Sequence, residues 1–511
     1  MKRDPSPLLY GTLLLTATGL AGQLLGFLYR IALSRQIGAE VMGLYQLIMP
    51  VYSVLLSLTA VGLTAAVSNL SARFHALGRR GAMERTLSLS LRTFLLLAAV
   101  LGAAVVVLYD PISVYLLGDA RTQLGLLLLP ACVVLTGVEN LHKHQFYGIG
   151  QVRPPALVEL AEQFVRTGAV LGLLAVFLPQ NAERTVGLIV LGMIVCEVFS
   201  AGMLMLLRAR ARARDTRPPG PPEPGLGRQI VGIAVPVGLT AVLGNLMNSA
   251  NSVLIPARLV AGGMEVSQAM SIFGVVCGLT LPMLTLPMAF LGAVNLMLAP
   301  GLAESTALGR RRETHCRIHQ ALLATSVVAL PCTALMAVIG PTIGAALFQE
   351  PTVGKGILPL AVGVVFSCYQ GVLGAALNGV GRQPAAARNA LISGGVQLLF
   401  TAALTGLPGV GLGGFLLGFV ASGLVGALLN GVSLVRAVGL PLRLFQWITA
   451  PGLASLLMGL CVNLLFRELL RRGLAALPAA LACGLFGAVL YLAALSAQGV
   501  GWRDLTGRNC K

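Results

Sequence analysis

Glu162 and Arg166 stand four residues apart inside an apolar stretch, close enough on a helix to share a face and pair. Glu197 lies near the middle of the next apolar stretch, and Glu139 near the end of the preceding one. Glu159 sits one turn before Glu162, and Arg30 falls toward the end of the first stretch. A charge at bilayer depth costs at least about 2.5–3.5 kcal/mol on insertion scales, so such groups face a partner or a wet cavity. Two readings fit. In one, these charges form a structural ion pair that locks three helices together. In the other, they line a polar path for an anionic headgroup and a proton. For Arg30 the alternatives are a lining role and a side chain reaching to the interface. A second polar set is neutral: Asn245, Asn248, Ser249 and Ser252 recur at helical spacing on one face, with Asn251 and Arg258 farther along. That stripe is either interhelical hydrogen bonding or part of a cavity wall.

Other chemistries lack their residues. Nine cysteines occur without CxxC or CxxxH spacing, so neither a disulfide framework nor a metal site is expected. No P-loop is present, and no catalytic constellation or cofactor site is expected. His142 and His144, flanking Lys143, read as loop residues.

The elements that position these groups follow from composition. Of 511 residues, 56% are hydrophobic and 11% charged, with mean hydropathy +0.85. Soluble domains carry roughly 25% charged residues, so a soluble fold would have no polar coat. Apolar runs recur at the about 20 residues that cross roughly 30 Å of hydrocarbon. In lipid the backbone must satisfy itself, which selects helices, and the short alternating segments of a barrel are absent. The fold class is therefore an all-α polytopic membrane protein. About fourteen spans are expected, at 8–33, 42–72, 86–108, 122–142, 155–178, 185–208, 229–256, 268–300, 318–347, 355–380, 387–406, 411–435, 444–466 and 475–498. Lys2-Arg3 before the first run resembles a signal peptide, but that run is too long for one. Pro50, Pro130, Pro236, Pro282 and Pro287 should bend or break their helices.

With both termini placed in the cytoplasm, 25 of the 36 Lys and Arg fall in inner segments, 8 in outer loops and 3 in helices. Lys and Arg favour cytoplasmic loops, so the net charge of +18 is a topology signal. Anionic lipid is the expected partner of the basic inner loops, and nucleic acid is not. "ALGRR" occurs at 76–80 and again at 307–311, an offset of 231. Gly148-Ile149-Gly150 and Gly379-Val380-Gly381 repeat at the same offset, each followed by a proline. Spans one to six and seven to twelve thus read as two copies of one unit. An even-membered unit returns to its starting side, so the copies are parallel. The expected organisation is a first lobe at 1–207, a Pro/Arg-rich cytoplasmic linker at 208–228, a second lobe at 229–437, and spans thirteen and fourteen with a tail at 438–511. Gly22–Gly26 and Gly414–Gly418 have the GxxxG spacing of close helix packing.

The segments "GFLYRIALSRQIGAE" (26–40), "GLYQLIMPVYSVLLSLTAVGL" (43–63), "YGIGQVRPPALVELAEQFVR" (147–166) and "SIFGVVCGLTLPMLTLP" (271–287) resemble the stage V sporulation protein B family and its MurJ-type lipid II flippase relatives. These belong to the multidrug/oligosaccharidyl-lipid/polysaccharide exporter superfamily. The resemblance implies a MATE-like fold of two six-helix lobes plus two C-terminal helices, a cavity between the lobes, and export of an undecaprenyl-pyrophosphate-linked sugar by alternating access. It also implies cationic cavity residues for the pyrophosphate. Here the matching first-helix position is Tyr29, followed by Arg30, and the segment around Val54 has no arginine.

The leading functional expectation is a lipid II-like flippase of the cytoplasmic membrane serving cell-wall or spore-cortex synthesis. Arg30, Glu162, Arg166, Glu197, Asn245, Asn248 and Ser252 are its candidate substrate-binding residues. One alternative is a cation-coupled multidrug antiporter of the same fold. Another is a non-transporting scaffold whose partners are wall-synthesis enzymes.

Overall fold

In the computed structural model, residues 7–177, 181–214, 223–286, 289–354, 356–441 and 443–499 are described. Lys2-Arg3, the middle of the expected linker, Pro287 and the tail beyond 499 lie outside them. The described residues are overwhelmingly helical, and no strand occurs among them. Twelve helical runs among them are long and apolar enough to cross a membrane. The first, Thr16–Ala76, counts once although its 61 residues extend about 90 Å at about 1.5 Å per residue. The helix at Gln383–Leu404 is outside the twelve. A total of fourteen therefore remains a proposal.

Several boundaries differ from expectation for local reasons. Spans one and two are joined: α1 (Pro7–Leu56) runs through the expected loop at 34–41, changing direction at Gly38, whose φ of 75° favours glycine. Pro50 lies inside α1, followed by a wide turn at Ser57–Val61 and then α2 (Gly62–Ala76). Beyond α3 (Arg80–Val107) and the single turn α4 (Tyr109–Pro111), α5 (Gln123–Gly148) outruns its expected end at 142. His142, Lys143 and His144 are thus helical and not loop residues. Apolar periodicity fades there while helix continues to Gly148, just before the left-handed Gly150 at φ 75°. After α6 (Arg153–Phe177), α7 (Ala182–Arg214) extends seven residues into the expected linker before α8 (Leu226–Ala261). The expected eighth span is broken into α9 (Val266–Phe273), a wide turn at Gly274–Thr280, α10 (Leu281–Thr285) and α11 (Ala289–Ala307). Pro282 opens α10 because its ring suits a first turn. Then come α12 (Arg311–Phe348), α13 (Ile357–Gly379), α14 (Gln383–Leu404), α15 (Gly413–Val438), α16 (Ala450–Arg471) and α17 (Ala476–Ala497).

The two ALGRR copies build one turn twice. Gly78 and Gly309 both have φ 68°, and Arg79 and Arg310 cap the next helices with near-identical backbone angles. Arg79 N donates to Phe74 O and Arg310 N to Ser305 O, each at 2.9 Å. A left-handed residue just past a helix end satisfies its last carbonyls, and glycine does so without Cβ strain.

By packing, the chain divides into two compact units: Met1–Ala257 with Glu265–Gly274, and Arg258–Met264 with Val275–Lys511. In the first, most of α8 and all of α9 pack with α1–α7. A Cβ on Gly43 would strike the Met270 carbonyl, and one on Gly62 the Ala234 carbonyl. These are the close backbone approaches that glycine permits between membrane helices. One core there gathers Leu70, Phe74, Met83, Phe94 and Leu141 with Ile230 of α8. In the second unit, α16 and α17 pack on α12 through Met458, Val462, Cys483 and Leu323. Gly414 and Gly418 fit the GxxxG reading, since Cβ atoms there would meet Thr405 N and Phe400 Cβ. Gly22 and Gly26 do not: nothing lies within 4 Å at Gly22, and at Gly26 only Gln163 Oε1 at 3.8 Å.

Candidate functional site

The acidic residues expected at depth converge inside the first unit. Glu139 comes from α5, Glu162 and Arg166 from α6, and Glu197 from α7. Their spacing on three helices that pack on one another places them in one layer. The Arg166 guanidinium is hydrogen-bonded to Glu162 and lies 3.9 Å from Glu197 Oε1. Lys143 Nζ reaches Glu139 Oε1 at 3.3 Å and Glu159 Oε1 at 3.7 Å. Glu139, Glu162 and Glu197 are each 5% exposed or less. Three tyrosines of α1 stand beside them. Tyr52 donates to Thr136 Oγ1 at 2.9 Å, and Tyr45 contacts Met193 Sδ at 3.7 Å. Tyr29 is buried, and its hydroxyl has no hydrogen-bond partner among the described residues; the same is true of Glu197 Oε2 and Arg166 Nε. Hydrogen-bonding capacity left over at a buried site calls for a specific explanation.

Glu159 is 52% exposed, so among the buried groups three acids stand against two bases. Burial makes an uncompensated charge costly, so the cluster has use for a proton or a cation. Glu162, Cys196 and Glu197 bring ligand-type atoms within 4.8 Å of one another. A metal ion there would compete with the Arg166 guanidinium bonded to Glu162, and Arg166 already supplies the positive charge. The residues therefore fit a guanidinium-centred ionic cluster better than a metal centre.

Arg30 lies on α1, one residue after Tyr29, and is half-buried. On α8, Asn245 is half-buried and Asn248 exposed. Ser249 donates to Pro50 O on α1 at 3.3 Å, whereas Ser252 donates within its own helix to Asn248 O at 3.2 Å. No hydrogen bond or ion pair joins this stripe to the acidic cluster among the described residues.

Two sets of residues escaped the reading of the sequence. Lys143 was hidden by its assignment to a loop, although Glu139 and Lys143 have the same i,i+4 spacing as Glu162 and Arg166. The second unit also contains a neutral network. Gln370 on α13 donates to Ser393 Oγ on α14 at 3.2 Å, and Ser393 donates to Ser422 O on α15 at 2.8 Å. Asn389 donates to Asn430 Oδ1 at 3.0 Å and to Ser433 Oγ at 3.1 Å. Asn430 returns a bond to Gln370 O at 3.0 Å. The 231-residue offset pointed there, since it maps Glu139, Glu162 and Arg166 onto Gln370, Ser393 and Gln397.

A family model described as polysaccharide biosynthesis protein matches residues 8–266, just over half of the chain. The chain belongs to that family. The matched range contains the whole ionic cluster and the α8 stripe, and none of the second unit's amide network. Stage V sporulation protein B of Bacillus subtilis (strain 168) is 25% identical over 451 residues, covering 86% of each chain. Among solved structures, the lipid II flippase MurJ in an inward closed conformation superposes with a TM-score of 0.67 at 13% identity, over 97% of this chain and 100% of that one. An inward-facing multidrug resistance MATE family transporter gives 0.65 at 17% identity, over 82% and 94%. This member of the polysaccharide biosynthesis family is thus a multi-pass membrane protein with the fold of the superfamily that contains MATE transporters and MurJ.

Proposed function

We propose that the protein is a membrane exporter that flips an undecaprenyl-pyrophosphate-linked, lipid II-like saccharide across the cytoplasmic membrane by alternating access, for cell-wall or spore-cortex synthesis. Both termini lie in the cytoplasm and fourteen helices cross the bilayer. The observation that carries this reading is the buried cluster of Glu139, Lys143, Glu162, Arg166 and Glu197. The family and its similarity to stage V sporulation protein B supply the cargo class. A diphosphate carries about two negative charges and crosses hydrocarbon only where donors and cations replace its water. Arg166, Tyr29 and the neighbouring Arg30 are the groups of the first unit suited to that task, and the α8 stripe of Asn245, Asn248 and Ser252 adds neutral donors. The acids discharge the pocket between cycles by drawing Arg166 back.

The test is complementation of a strain depleted of its lipid II flippase, with lipid II accessibility measured outside the cell. Wild-type chain is expected to restore accessibility, and Arg166→Gln at equal membrane abundance is expected to lose it. Failure of the wild-type chain to restore it would remove lipid II as the cargo. The excess of acids favours one competing reading, a cation-coupled antiporter. Resistance to cationic dyes lost in Glu197→Gln, with no effect on lipid II, would select that one.

A further inference from the structure

Away from the ionic cluster, the first unit holds a cavity of about 870 Å³ where the ALGRR end of α3 meets the end of α7. Its rim carries Arg80, Arg85, Arg208 and Arg212, against one acid, Glu84. Glu84 is committed to the buried Arg208. Arg80 donates to the Arg212 backbone carbonyl at 2.7 Å, which ties the end of α7 to the start of α3. Arg85 and Arg212 are exposed, and Arg85 makes no ion pair among the described residues. The floor is mainly apolar, with His142 of α5 also lining the cavity. Leu87 and Leu91 follow the arginines along α3, and Met205 precedes them on α7, so all three lie deeper along their helices than the rim.

The internal repeat makes this place twice. In the second unit, a cavity of about 400 Å³ lies where α12 meets the segment after α15. Five wall positions of the first cavity recur there at the 231-residue offset. Glu84, Arg85 and Ser88 become His315, Cys316 and His319, while Ala209 and Arg212 become Leu440 and Arg443. The cationic member is kept at 212 and 443, and Arg312 adds a second arginine to the second cavity. His319 accepts the Trp447 indole N–H at 2.6 Å, and His315 Nε2 lies 2.9 Å from Val438 O. Two imidazoles and an indole line this smaller cavity.

We propose that the first-unit cavity is a binding site for an anionic phosphate group, and that its repeat in the second unit is a smaller version of the same site. Guanidinium groups match phosphate oxygens in a bidentate fork, and Arg85 and Arg212 have theirs to offer. The apolar floor beneath a cationic rim suits an amphiphile whose headgroup is the anion. On the orientation proposed above, the rim faces the inner leaflet. Two sources share this chemistry: the headgroup of an anionic membrane lipid and a soluble phosphate. The inference does not rest on the identity of the exported cargo, because none of these residues belongs to the cluster assigned to it.

The experiment measures binding to the purified full-length chain in neutral detergent, with dioctanoyl phosphatidylglycerol, dioctanoyl phosphatidylcholine and inorganic pyrophosphate as probes. Wild type is compared with Arg85→Gln/Arg212→Gln. Phosphatidylglycerol is expected to bind wild type, and the double variant to bind it about tenfold more weakly, as the loss of charge-assisted contacts requires. Phosphatidylcholine should bind both poorly. Pyrophosphate binding that is lost in the variant, without a phosphatidylglycerol effect, would support the site and assign it to a soluble anion. Equal affinities of wild type and variant for both anionic probes would overturn the proposal. Should the double variant fail to fold, Arg85→Gln alone carries the same comparison with a smaller loss, and an unchanged affinity there would overturn it as well.

Discussion

At three positions 231 residues apart, the two units solve the same burial problem with different chemistry. Glu139, Glu162 and Arg166 belong to an ionic cluster on α5–α7, and Gln370, Ser393 and Gln397 lie on the helices of a neutral network, α13–α15. Polarity was kept and charge was not. A neutral donor–acceptor network satisfies itself and needs nothing further. An ionic cluster with surplus acids stays responsive to protons, cations and competing anions. The division suggests that the first unit handles charge while the second provides a stable polar frame.

This comparison can be broken most directly at Arg166. Among the described residues it is the cation paired with Glu162 and Glu197, so Arg166→Leu should cost about 3–5 kcal/mol by leaving buried carboxylates unpaired. Loss of folded protein in a detergent melt would show it. Glu162→Gln with Arg166→Gln should recover part of that loss. A melt unchanged by Arg166→Leu would mean that the cluster is solvated and the contrast with the second unit false. The reciprocal test introduces charge into the neutral frame. Gln370→Glu places a carboxylate among amides, where the cation at the network's edge, Arg388, is already bonded to Asn389 Oδ1 at 3.4 Å, at about 2.5–3.5 kcal/mol. Tolerance of that change would show that the second unit has water or a cation to spare.

The two ALGRR turns are the points of closest likeness. Gly78→Ala and Gly309→Ala each force a left-handed backbone on a residue with Cβ, at about 1–2 kcal/mol. Equal melting shifts are expected; a marked inequality would show that the turns bear different loads. Asn389→Ala removes two interhelical hydrogen bonds, at about 1 kcal/mol, well below Arg166→Leu. A loss as large as that of Arg166 would put the essential polar core in the wrong unit. The smallest effect is expected at Arg472, which pairs with Glu468 at 2.9 Å and is 74% exposed. Arg472→Ala should cost under about 1 kcal/mol, and its melt serves as the baseline for the others.

Which parts of the site were legible depended on range. Glu162 and Arg166 could be paired from sequence because four residues on a helix fix the relation of their side chains. The same argument would have paired Glu139 with Lys143, had α5 not been ended early at a fading apolar pattern. The approach of Arg166 to Glu197 could not be read, because it depends on how α6 and α7 are rotated against each other. Asn245, Asn248, Ser249 and Ser252 illustrate the same limit. Their shared face was legible, but only Ser249 reaches another helix. Gly22–Gly26 and Gly414–Gly418 have the same spacing, yet only the second pair meets a neighbouring helix closely.

The sequence by itself determined the solvent, the helical class, the doubled unit and the residues that must find partners. Those follow from composition, from the bilayer's demand for internal hydrogen bonding, and from relations within one helix or at a fixed offset. Tertiary structure alone decided which charges meet, that α8 and α9 pack largely with the first unit, and that α3 and α7 leave a cationic cavity between their ends. Each of these is set by side-chain fit and backbone approach between helices distant in sequence, and no local spacing encodes that fit.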